Sequence, residues 1–393
     1  MSRFAGSRSF PARRSWRVAA VAAALTVTAA ACSTTPAGDS SSGASTAPGA
    51  LKPVTLQLQW FTQGQFAGYI AAADQGFYRE QGLDVTFKEG GVDIVPQTVL
   101  AQGQADYAIA WVPKALASRE QGAAITDVAQ VFQRSGTRQV SFATENITAA
   151  AELKGKKVGN WGFGNEFELF AGMTDAGIKP AKDVTLVQQQ FDMQALLSGE
   201  IDAAQAMSYN EYAQVLEATN PATGQLYKPG DFSMIDWNDD GTAMLQDAIW
   251  ASTDKLSDPA YADQTTKFVA ASLKGWAYCR DNVASCRDIV VKAGSKLGAS
   301  HQLWQVNEVN KLIWPSPAAG VGTIDQAAWD QTVKVARTAV NADGQTVLTK
   351  DPDPQAYTDD YVSRAVEILK GQGVDVVGTN YRPETVTLNP GGN

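Results

Sequence analysis

The stretch "LQWFTQGQFAGYIAAADQGFYREQGLDVTF", residues 58–87, decides the fold class. Apolar and glutamine residues alternate over residues 56–60, the period of a strand with one buried face, and we expect this strand to end at Trp60. Residues 66–78 carry apolar side chains at helical spacing, and residues 83–87 alternate again. The stretch therefore predicts a β-α-β unit whose first loop lies where open α/β folds bind ligands.

A second feature is a unit that occurs twice, as "LAQGQADYAIA" at 100–110 and "LLSGEIDAAQAM" at 196–207. Each copy has a glycine at the end of a predicted helix, an aspartate three residues later and then an apolar strand. Between the copies, residues 156–160 predict a strand, residues 161–165 a glycine-rich loop, and a helix follows from Glu166. This order repeats that of the opening stretch, so the chain contains two similar α/β halves.

The paired G-x-x-D turns, "LKGKKVG" at 153–159 and "AAADQGFYREQGLDV" at 71–85 resemble the periplasmic binding proteins of ABC importers. The similarity covers roughly residues 54–310. It is greatest to the branch that contains thiamine-pyrimidine binding proteins, aliphatic sulfonate binding proteins and the fungal thiamine pyrimidine synthase. The resemblance implies an α/β, two-lobed type II fold with a hinge, a ligand in the cleft and an ABC permease as partner.

The resemblance also implies domain boundaries. We expect the first lobe at residues 54–145 plus 247–345, the second at 146–246, and crossings near Thr144–Ile147 and Ala248–Ser252. Residues 346–393 should form a C-terminal helix and tail, beginning with a linker at 346–354. Apolar spacing predicts extra helices that pack on the first lobe, at Tyr261–Tyr278, His301–Ile313, Gln326–Val340 and Tyr357–Leu369.

The amino terminus is typical of an export signal. Residues 1–31 contain five arginines and no acid, and end in an apolar run of 14 residues, shorter than the roughly 20 that span a membrane. "TAAAC" at 28–32 resembles a bacterial lipobox, which implies that Cys32 is lipidated and anchors the protein to the cell membrane from outside the cytoplasm. An ordinary signal peptide cut near Ala31 is the alternative, and "RRSW" leaves Sec and twin-arginine export both open.

The mature chain predicted by this cleavage is acidic. It begins with a Ser/Thr/Gly/Pro/Ala-rich tether at residues 32–53, and it keeps 27 Lys and Arg against 41 Asp and Glu, a net charge near −14. Such a charge does not favour nucleic acid or anionic lipid as a partner. We expect a monomer with a small-molecule ligand, a permease partner and no cofactor.

Two cysteines remain in the mature chain, Cys279 and Cys286, and the single histidine of the sequence is His301. In an exported protein, a pair seven residues apart favours a disulfide over a metal site, because zinc would need further ligands. Two buried thiols are the alternative. We therefore predict no metal site.

Enzyme signals are weak. "GNWGFGNE" is neither a dinucleotide fingerprint nor a phosphate loop, and Glu166 and Glu168 stand two apart on a predicted helix, where side chains do not face each other. The fungal synthase resembles the segment at 105–122 and carries a functional lysine and histidine four residues apart there. The matching positions are Ala110 and Lys114, and the synthase's cysteine-rich iron motif is missing, so we expect no enzyme activity.

Aromatic, amide and acidic residues gather at four equivalent strand ends. A sulfonate or nitrate receptor should offer arginines or hydroxyl donors, whereas these loops offer flat rings, amides and carboxylates with Lys114 as the one cation. This set suits a flat nitrogen heterocycle, a thiamine pyrimidine precursor first and a flavin or other aromatic base next. A sulfonate-type anion receptor and a synthase-like enzyme stay as other hypotheses. The predicted ligand-binding residues are Trp60, Phe61, Gln65, Trp111, Trp161, Asn165, Glu166, Tyr209, Asn210 and Glu211.

Overall fold

The computed structural model describes residues 50–393, which form two α/β lobes. The predicted signal segment, the lipidation site at Cys32 and most of the predicted tether lie outside these residues. The first strand starts at Lys52, so the tether ends slightly before the expected residue 53. None of the helices between residues 50 and 393 combines the length and apolar character needed to cross a bilayer.

The described residues contain ten strands and fourteen α-helices. The strands are β1 Lys52–Gln57, β2 Leu83–Lys88, β3 Tyr107–Trp111, β4 Ile125–Gln130, β5 Thr137–Phe142, β6 Lys157–Asn160, β7 Thr185–Gln188, β8 Ala203–Met207, β9 Phe232–Asp236 and β10 Asp247–Ser252. The helices are α1 Ala67–Asp74, α2 Phe77–Glu80, α3 Pro96–Ala101, α4 Val112–Glu120, α5 Phe167–Asp175, α6 Pro180–Asp183, α7 Gln194–Leu197, α8 Glu211–Glu217, α9 Trp237–Asp240, α10 Pro259–Asp281, α11 Val283–Lys292, α12 Ala299–Ile313, α13 Gln326–Thr338 and α14 Asp360–Gly371.

The two sheets share one plan. The first lobe has the order β2-β1-β3-β10-β4 and the second β7-β6-β8-β5-β9. In each sheet the first three strands are parallel, and the fourth strand is antiparallel to its neighbours. The α/β two-lobed fold expected from the sequence is confirmed.

The crossings between the lobes differ from the expected positions. Because β5 already belongs to the second sheet, the first crossing is at residues 131–136 and not near Thr144–Ile147. The return crossing lies between β9 and β10, ahead of the expected Ala248–Ser252, which is part of β10 itself. The predicted end of the first segment at residue 145 is therefore wrong, because antiparallel pairing joins strands far apart in sequence and local periodicity does not report such partners. The predicted return to the first lobe at residue 247 coincides with the start of β10.

The repeated G-x-x-D unit has the same structural role in both lobes. Asp106 accepts a hydrogen bond from the backbone N–H of Thr55 in β1 at 2.8 Å, and Asp202 accepts one from Lys157 in β6 at 2.7 Å. The glycines three residues earlier, Gly103 and Gly199, have φ of 71° and 74°, which a side chain disfavours. Each aspartate therefore ties the strand that follows it to the neighbouring parallel strand, β3 to β1 and β8 to β6.

The opening stretch is more broken than its periodicity predicts. Strand β1 ends at Gln57 rather than Trp60, although the N–H of Leu58 still donates to the carbonyl of Lys88 and the N–H of Gly90 donates to the carbonyl of Trp60. The predicted helix at 66–78 is divided into α1 and α2 by Gly76, whose φ is 79°. The turn between β1 and α1 includes a short 3-10 helix at Gly64–Phe66.

The C-terminal helices do not all pack on the first lobe. Helix α10 packs along α1, whereas α13 contacts both α4 of the first lobe and α5 of the second. Val335 and Ala339 share an apolar cluster with Phe167 of α5. The expected linker at 346–354 is docked rather than free, since Asp353 forms an ion pair with Arg119 of α4.

Cys279 at the end of α10 and Cys286 in α11 form a disulfide. The sequence had not indicated α11 as a separate helix. Both cysteines are fully buried and belong to the main core of the first lobe.

Replacing Cys279 and Cys286 by serine should lower the free energy of unfolding by about 2 kcal/mol, because the bridge restricts a short loop of the unfolded chain. Chemical denaturation of the double variant measures this. Thiol titration of the exported wild-type protein in denaturant without reductant should find no free thiol, and two free thiols would contradict the pairing.

Candidate functional site

A cavity of about 1030 Å³ lies between the lobes. It is lined by the segments that follow β1, β2 and β3 in the first lobe and β6, β7 and β8 in the second. The carboxyl ends of all six parallel strands thus meet at one cleft, as expected for ligand sites in α/β sheets. A further wall comes from residues 341–347, which follow α13.

Nine of the ten residues predicted to bind ligand line this cavity. They are Trp60, Gln65, Trp111, Trp161, Asn165, Glu166, Tyr209, Asn210 and Glu211. The structure brings them together, and their contact with a ligand stays a prediction.

Phe61 does not line the cavity, which corrects its predicted place there. Its side chain is 42% exposed and lies near Lys296, whose Nζ is 5.6 Å from the ring centroid. The ring of Phe61 packs edge-on against Trp60, with centroids 5.3 Å apart, and the N–H of the next residue, Thr62, donates to Glu89.

An aromatic series crosses the cleft. Trp60 of the first lobe lies 5.1 Å from Phe191 of the second, measured between ring centroids, and Phe191 is stacked at 6.1 Å against Trp161. Phe191 was missed in the sequence analysis although it follows β7, the strand end equivalent to those that were considered. Phe191 therefore links Trp60 of the first lobe to Trp161 of the second.

The glycine-rich loop after β6 forms one lip of the cavity. Gly162, Phe163 and Gly164 have φ of 68°, 55° and 84°, an uncommon conformation for phenylalanine. Asn165 stabilises the loop by donating from Nδ2 to the carbonyl of Gly162 at 2.7 Å. The ring of Phe163 is 78% exposed at the mouth of the cavity as a result.

A buried carboxyl group lies beneath the first-lobe wall. Asp247, the first residue of β10, is 1% exposed and accepts a hydrogen bond from Gln65 Nε2 at 2.9 Å. Burial raises the pKa of Asp247 to about 7, opposed by the hydrogen bond from Gln65, by the nearby indole of Trp111 and by the charge of Lys114. The sequence analysis missed Asp247 because it placed the return crossing too late.

Lys114 is the single lysine or arginine among the described residues that line the cavity. Burial lowers the pKa of Lys114 to about 8, and the charges of Glu166 and Asp247 partly counter this. Its Nζ lies 5.1 Å from the ring centroid of Trp111, a cation–π distance. The cavity therefore holds one donor that can be charged or neutral near physiological pH.

Two carboxylates of the second lobe are anchored by backbone N–H groups. Glu166 accepts from Gly164 at 2.9 Å, and Glu211 accepts from Met207 at 2.9 Å. Asn210 Nδ2 also donates to Glu211 at 2.7 Å, and burial raises the pKa of Glu211. A carboxylate can accept about four hydrogen bonds, so both groups keep acceptor capacity for a ligand.

Two further groups of lining residues escaped the sequence analysis. Gln59 and Gln63 belong to the amide-rich stretch that opened it, and Gln59 accepts from the backbone N–H of Trp111 at 2.9 Å. Residues 341–347 gave no local signal, because only the packing of α13 brings them to the cleft.

This architecture is that of the periplasmic binding proteins. The periplasmic sulfonate-binding protein SsuA of Methylobacillus flagellatus KT superposes with a TM-score of 0.58 at 17% identity, covering 86% of this chain and 99% of its own. SsuA of Escherichia coli gives 0.51 at 15% identity, covering 86% and 93%. Within this class, the chain belongs to the NMT1/THI5 like family, whose model matches residues 63–284.

Similar proteins of known name include binding proteins and enzymes. Riboflavin-binding protein RibY of Chloroflexus aurantiacus is 26% identical over 351 residues, 86% of this chain and 94% of RibY. The formylaminopyrimidine-binding protein of Halalkalibacterium halodurans is 22% identical over 296 residues, 72% and 84%. A thiamine biosynthesis protein of Haemophilus influenzae (27% identity) and the pyrimidine phosphate synthase THI13 of Saccharomyces cerevisiae (26%) align with 39% and 38% of this chain. The chain spans only about half of each, 49% and 44%.

The free energy of unfolding of the ligand-free protein should fall as the pH rises from about 4 to about 7. The folded protein holds a proton on Asp247 up to a pKa of about 7, whereas the unfolded chain releases it near the ordinary value of about 4. The variant Asp247→Asn keeps a side-chain oxygen that can accept the hydrogen bond from Gln65, but it cannot titrate. It should therefore lack the part of the decrease in unfolding free energy that comes from Asp247. Urea denaturation between about pH 5 and 8 measures the difference.

Glu168 is the matched control for this prediction. Burial raises the pKa of Glu168 to about 7 as well, and it accepts from Ser135 and from the N–H of Met244 rather than from cavity residues. Glu168→Gln should remove a separate part of the pH dependence. Equal slopes for wild type and Asp247→Asn would contradict the assignment to Asp247.

Proposed function

We propose that this protein is the solute-binding component of an ABC importer and captures a flat heteroaromatic metabolite in the cleft between its lobes. The observation that carries the proposal is the series Trp60, Phe191 and Trp161, which places stacking faces from both lobes around one cavity. A ligand that stacks against this series in the cavity would contact both lobes, so its binding would favour the closed state.

The polar groups of the cavity support a nitrogen heterocycle. Glu166 and Glu211 can accept hydrogen bonds from ring N–H or amino groups, and Lys114 can donate to a ring carbonyl or nitrogen. Stacking supplies affinity with little dependence on the ring substituents, while these polar groups distinguish one ring edge from another.

The size of the cavity favours a ligand of more than one ring. Its volume of about 1030 Å³ lies at the upper end of the roughly 300–1,000 Å³ usual for small-molecule sites. A flavin, with three fused rings and a side chain, would use this space far better than a single pyrimidine. The similarity to a riboflavin-binding protein over 94% of that protein agrees with this choice. A thiamine-type pyrimidine is the second candidate, supported by the similarity to the formylaminopyrimidine-binding protein.

A sulfonate-type anion is less well supported. Among the described lining residues Lys114 is the one cation, and it lies within the fields of Glu166 and Asp247, which oppose an anionic ligand. The SsuA similarity concerns the fold alone.

A synthase-like reaction is also less well supported. The synthase's lysine and histidine positions are Ala110 and Lys114 in this chain, and Ala110 is buried within β3. His301 is buried outside the cavity lining, with both ring nitrogens within hydrogen-bond distance of protein side chains. We therefore propose a binding role without catalysis.

Trp60→Ala should weaken riboflavin binding about ten- to a hundredfold, because stacking a heterocycle on an aromatic ring contributes about 1–3 kcal/mol. Phe77→Ala is the control, since Phe77 is a half-buried aromatic residue of the same lobe that packs on Tyr278 and does not line the cavity. Its affinity should stay within about twofold of wild type. Calorimetric titration measures both, and circular dichroism confirms that the variants are folded.

The same titration with hydroxymethylpyrimidine and an alkanesulfonate identifies the ligand class. If hydroxymethylpyrimidine binds more tightly than riboflavin, the thiamine-type pyrimidine becomes the favoured ligand class. Binding of the sulfonate alone, or equal affinity of wild type and Trp60→Ala for the heterocycle that binds, would contradict an aromatic ligand cleft.

We also propose that residues 1–31 are removed during export and that Cys32 is acylated, which would hold the receptor at the outer face of the cell membrane as a monomer. Mass spectrometry of the amino-terminal peptide from membrane-extracted protein tests this. A diacylglyceryl group on Cys32 is the expected result. An intact Met1 terminus would contradict export, and an unmodified terminus after cleavage would contradict the anchor.

A further inference from the structure

Backbone N–H groups at the strand ends around the cavity donate to side chains of the protein itself. At the end of β3, the N–H of Trp111 donates to Gln59 Oε1 at 2.9 Å. After β6, the N–H of Trp161 donates to Gln205 Oε1 at 3.0 Å. Groups of this kind bind the phosphate or sulfonate of an anionic ligand in many α/β folds. In this protein, glutamine oxygens occupy them.

Two carboxylates of the second lobe occupy further backbone donors. Glu166 Oε2 accepts from the N–H of Gly164 in the glycine-rich loop, and Glu211 Oε2 accepts from the N–H of Met207 at the end of β8, both at 2.9 Å. Both side chains are buried, with 7% and 4% exposed. Each carboxylate is therefore a built-in anion at a position where the charged group of a ligand would otherwise accept.

The wall at residues 341–347 shows the same feature. Asn341 Oδ1 accepts from the N–H of Asp343 at 3.0 Å and from that of Gln345 at 2.9 Å. The N–H of Gly344 donates to the carbonyl of Asn341 at 3.0 Å. This turn satisfies its own backbone donors, so it offers the cavity polar side chains rather than a nest of N–H groups for an anion.

The charges that line the cavity are mostly negative. Among the lining residues that the structure describes, Lys114 is the one lysine or arginine, and the acidic ones are Asp93, Glu166, Glu211 and Asp343. An anionic substituent would enter a space where carboxylates outnumber cations. Like charges brought together at a binding site lower the affinity for that ligand and so create selectivity.

Lys114 does not offer an anion a site apart from these carboxylates. Its side chain lies beside the glycine-rich loop, where a Cβ added to Gly164 would be 3.8 Å from Lys114 Cε. Burial lowers the pKa of Lys114, and the charge of Glu166 opposes this more than that of Asp247 does. A phosphate that approaches Lys114 therefore also approaches Glu166, which is bound to the same loop.

We propose that the cavity selects the unphosphorylated form of its heterocyclic ligand, and that Glu166 determines this selection by occupying the anion-binding position of the glycine-rich loop. This inference rests on the proposed function and deepens it, because it states which charge form of the ligand is captured. The neutral ligand gains stacking and hydrogen bonds, whereas its phosphate ester meets occupied donors and like charge.

Riboflavin and riboflavin 5′-phosphate form a matched pair, since they share the ring and the polyol chain and differ by one phosphate. Calorimetric titration of wild type at neutral pH should give an affinity for the phosphate at least about a hundredfold lower. Hydroxymethylpyrimidine and its phosphate ester are the second pair and should show the same order. Equal affinity for the two members of the pair that binds would overturn the inference.

Glu166→Gln tests the residue itself, because it keeps an oxygen for the N–H of Gly164 and removes the charge. The affinity for the phosphate ester should rise, and the selectivity ratio should fall at least about tenfold. A merely weakened site would lose affinity for both forms and keep its ratio. Glu200→Gln is the control, since it changes the charge equally at an exposed position of the second lobe and should leave the ratio unchanged. An unchanged ratio in Glu166→Gln would overturn the inference.

Inorganic phosphate gives a readout that needs no heterocycle. Calorimetry should find no saturable binding of phosphate to wild type or Glu200→Gln, and saturable binding to Glu166→Gln, because loss of the carboxylate reduces the repulsion beside Lys114. If neither heterocycle binds, the proposed function is wrong and this titration alone decides. Phosphate binding by Glu166→Gln only would then support the role of Glu166, and any other pattern would overturn it.

Discussion

Each lobe depends on one antiparallel strand that reaches it through the crossing from the other lobe. In the first sheet β10 lies between β3 and β4, and β4 pairs with no other strand of the sheet; β5 gives β9 its place in the second sheet in the same way. The two crossings run side by side, where the N–H of Ser135 donates to Asn238 and the N–H of Gly136 donates to Gln246. Neither sheet is complete until the chain has crossed, so the hinge is also the element that completes both lobes.

This arrangement also explains the composition of the cleft. Because the parallel strands of both sheets end at the same cavity, the loops after β1, β3, β6 and β8 supply its walls, and the strand that returns from the hinge places Asp247 beneath them. Lys114 at the start of α4 then stands between the carboxyl groups of both lobes. The electrostatic character of the site is thus a property of the two lobes together, since neither lobe alone brings these charges together.

The C-terminal helices make the joint between the lobes more than a pair of crossing strands. Helix α12 joins the turn after β1 to α8 through buried amides and His301, while α13 packs against α4 and α5. The apolar cluster of Phe167, Val335 and Ala339 would be exposed to water if the second lobe moved away from α13. Opening of the cleft therefore requires either movement of α13 with one lobe or a loss of this buried surface.

The sequence by itself determined the α/β class, the two similar halves and most of the cavity wall, because these follow from local spacing. Alternating residues before Trp60, the G-x-x-D turns at Asp106 and Asp202, and polar residues after strand ends are all short-range patterns, and nine of the ten proposed residues line the cavity. Only the tertiary structure decided the crossings, the outward turn of Phe61, and the arrival of Asp247, Phe191 and residues 341–347 at the site. Those features depend on contacts between segments far apart in the sequence, such as the pairing of β3 with β10 and the packing of α13 on α4 and α5, and a side chain's own neighbours in sequence carry no record of them.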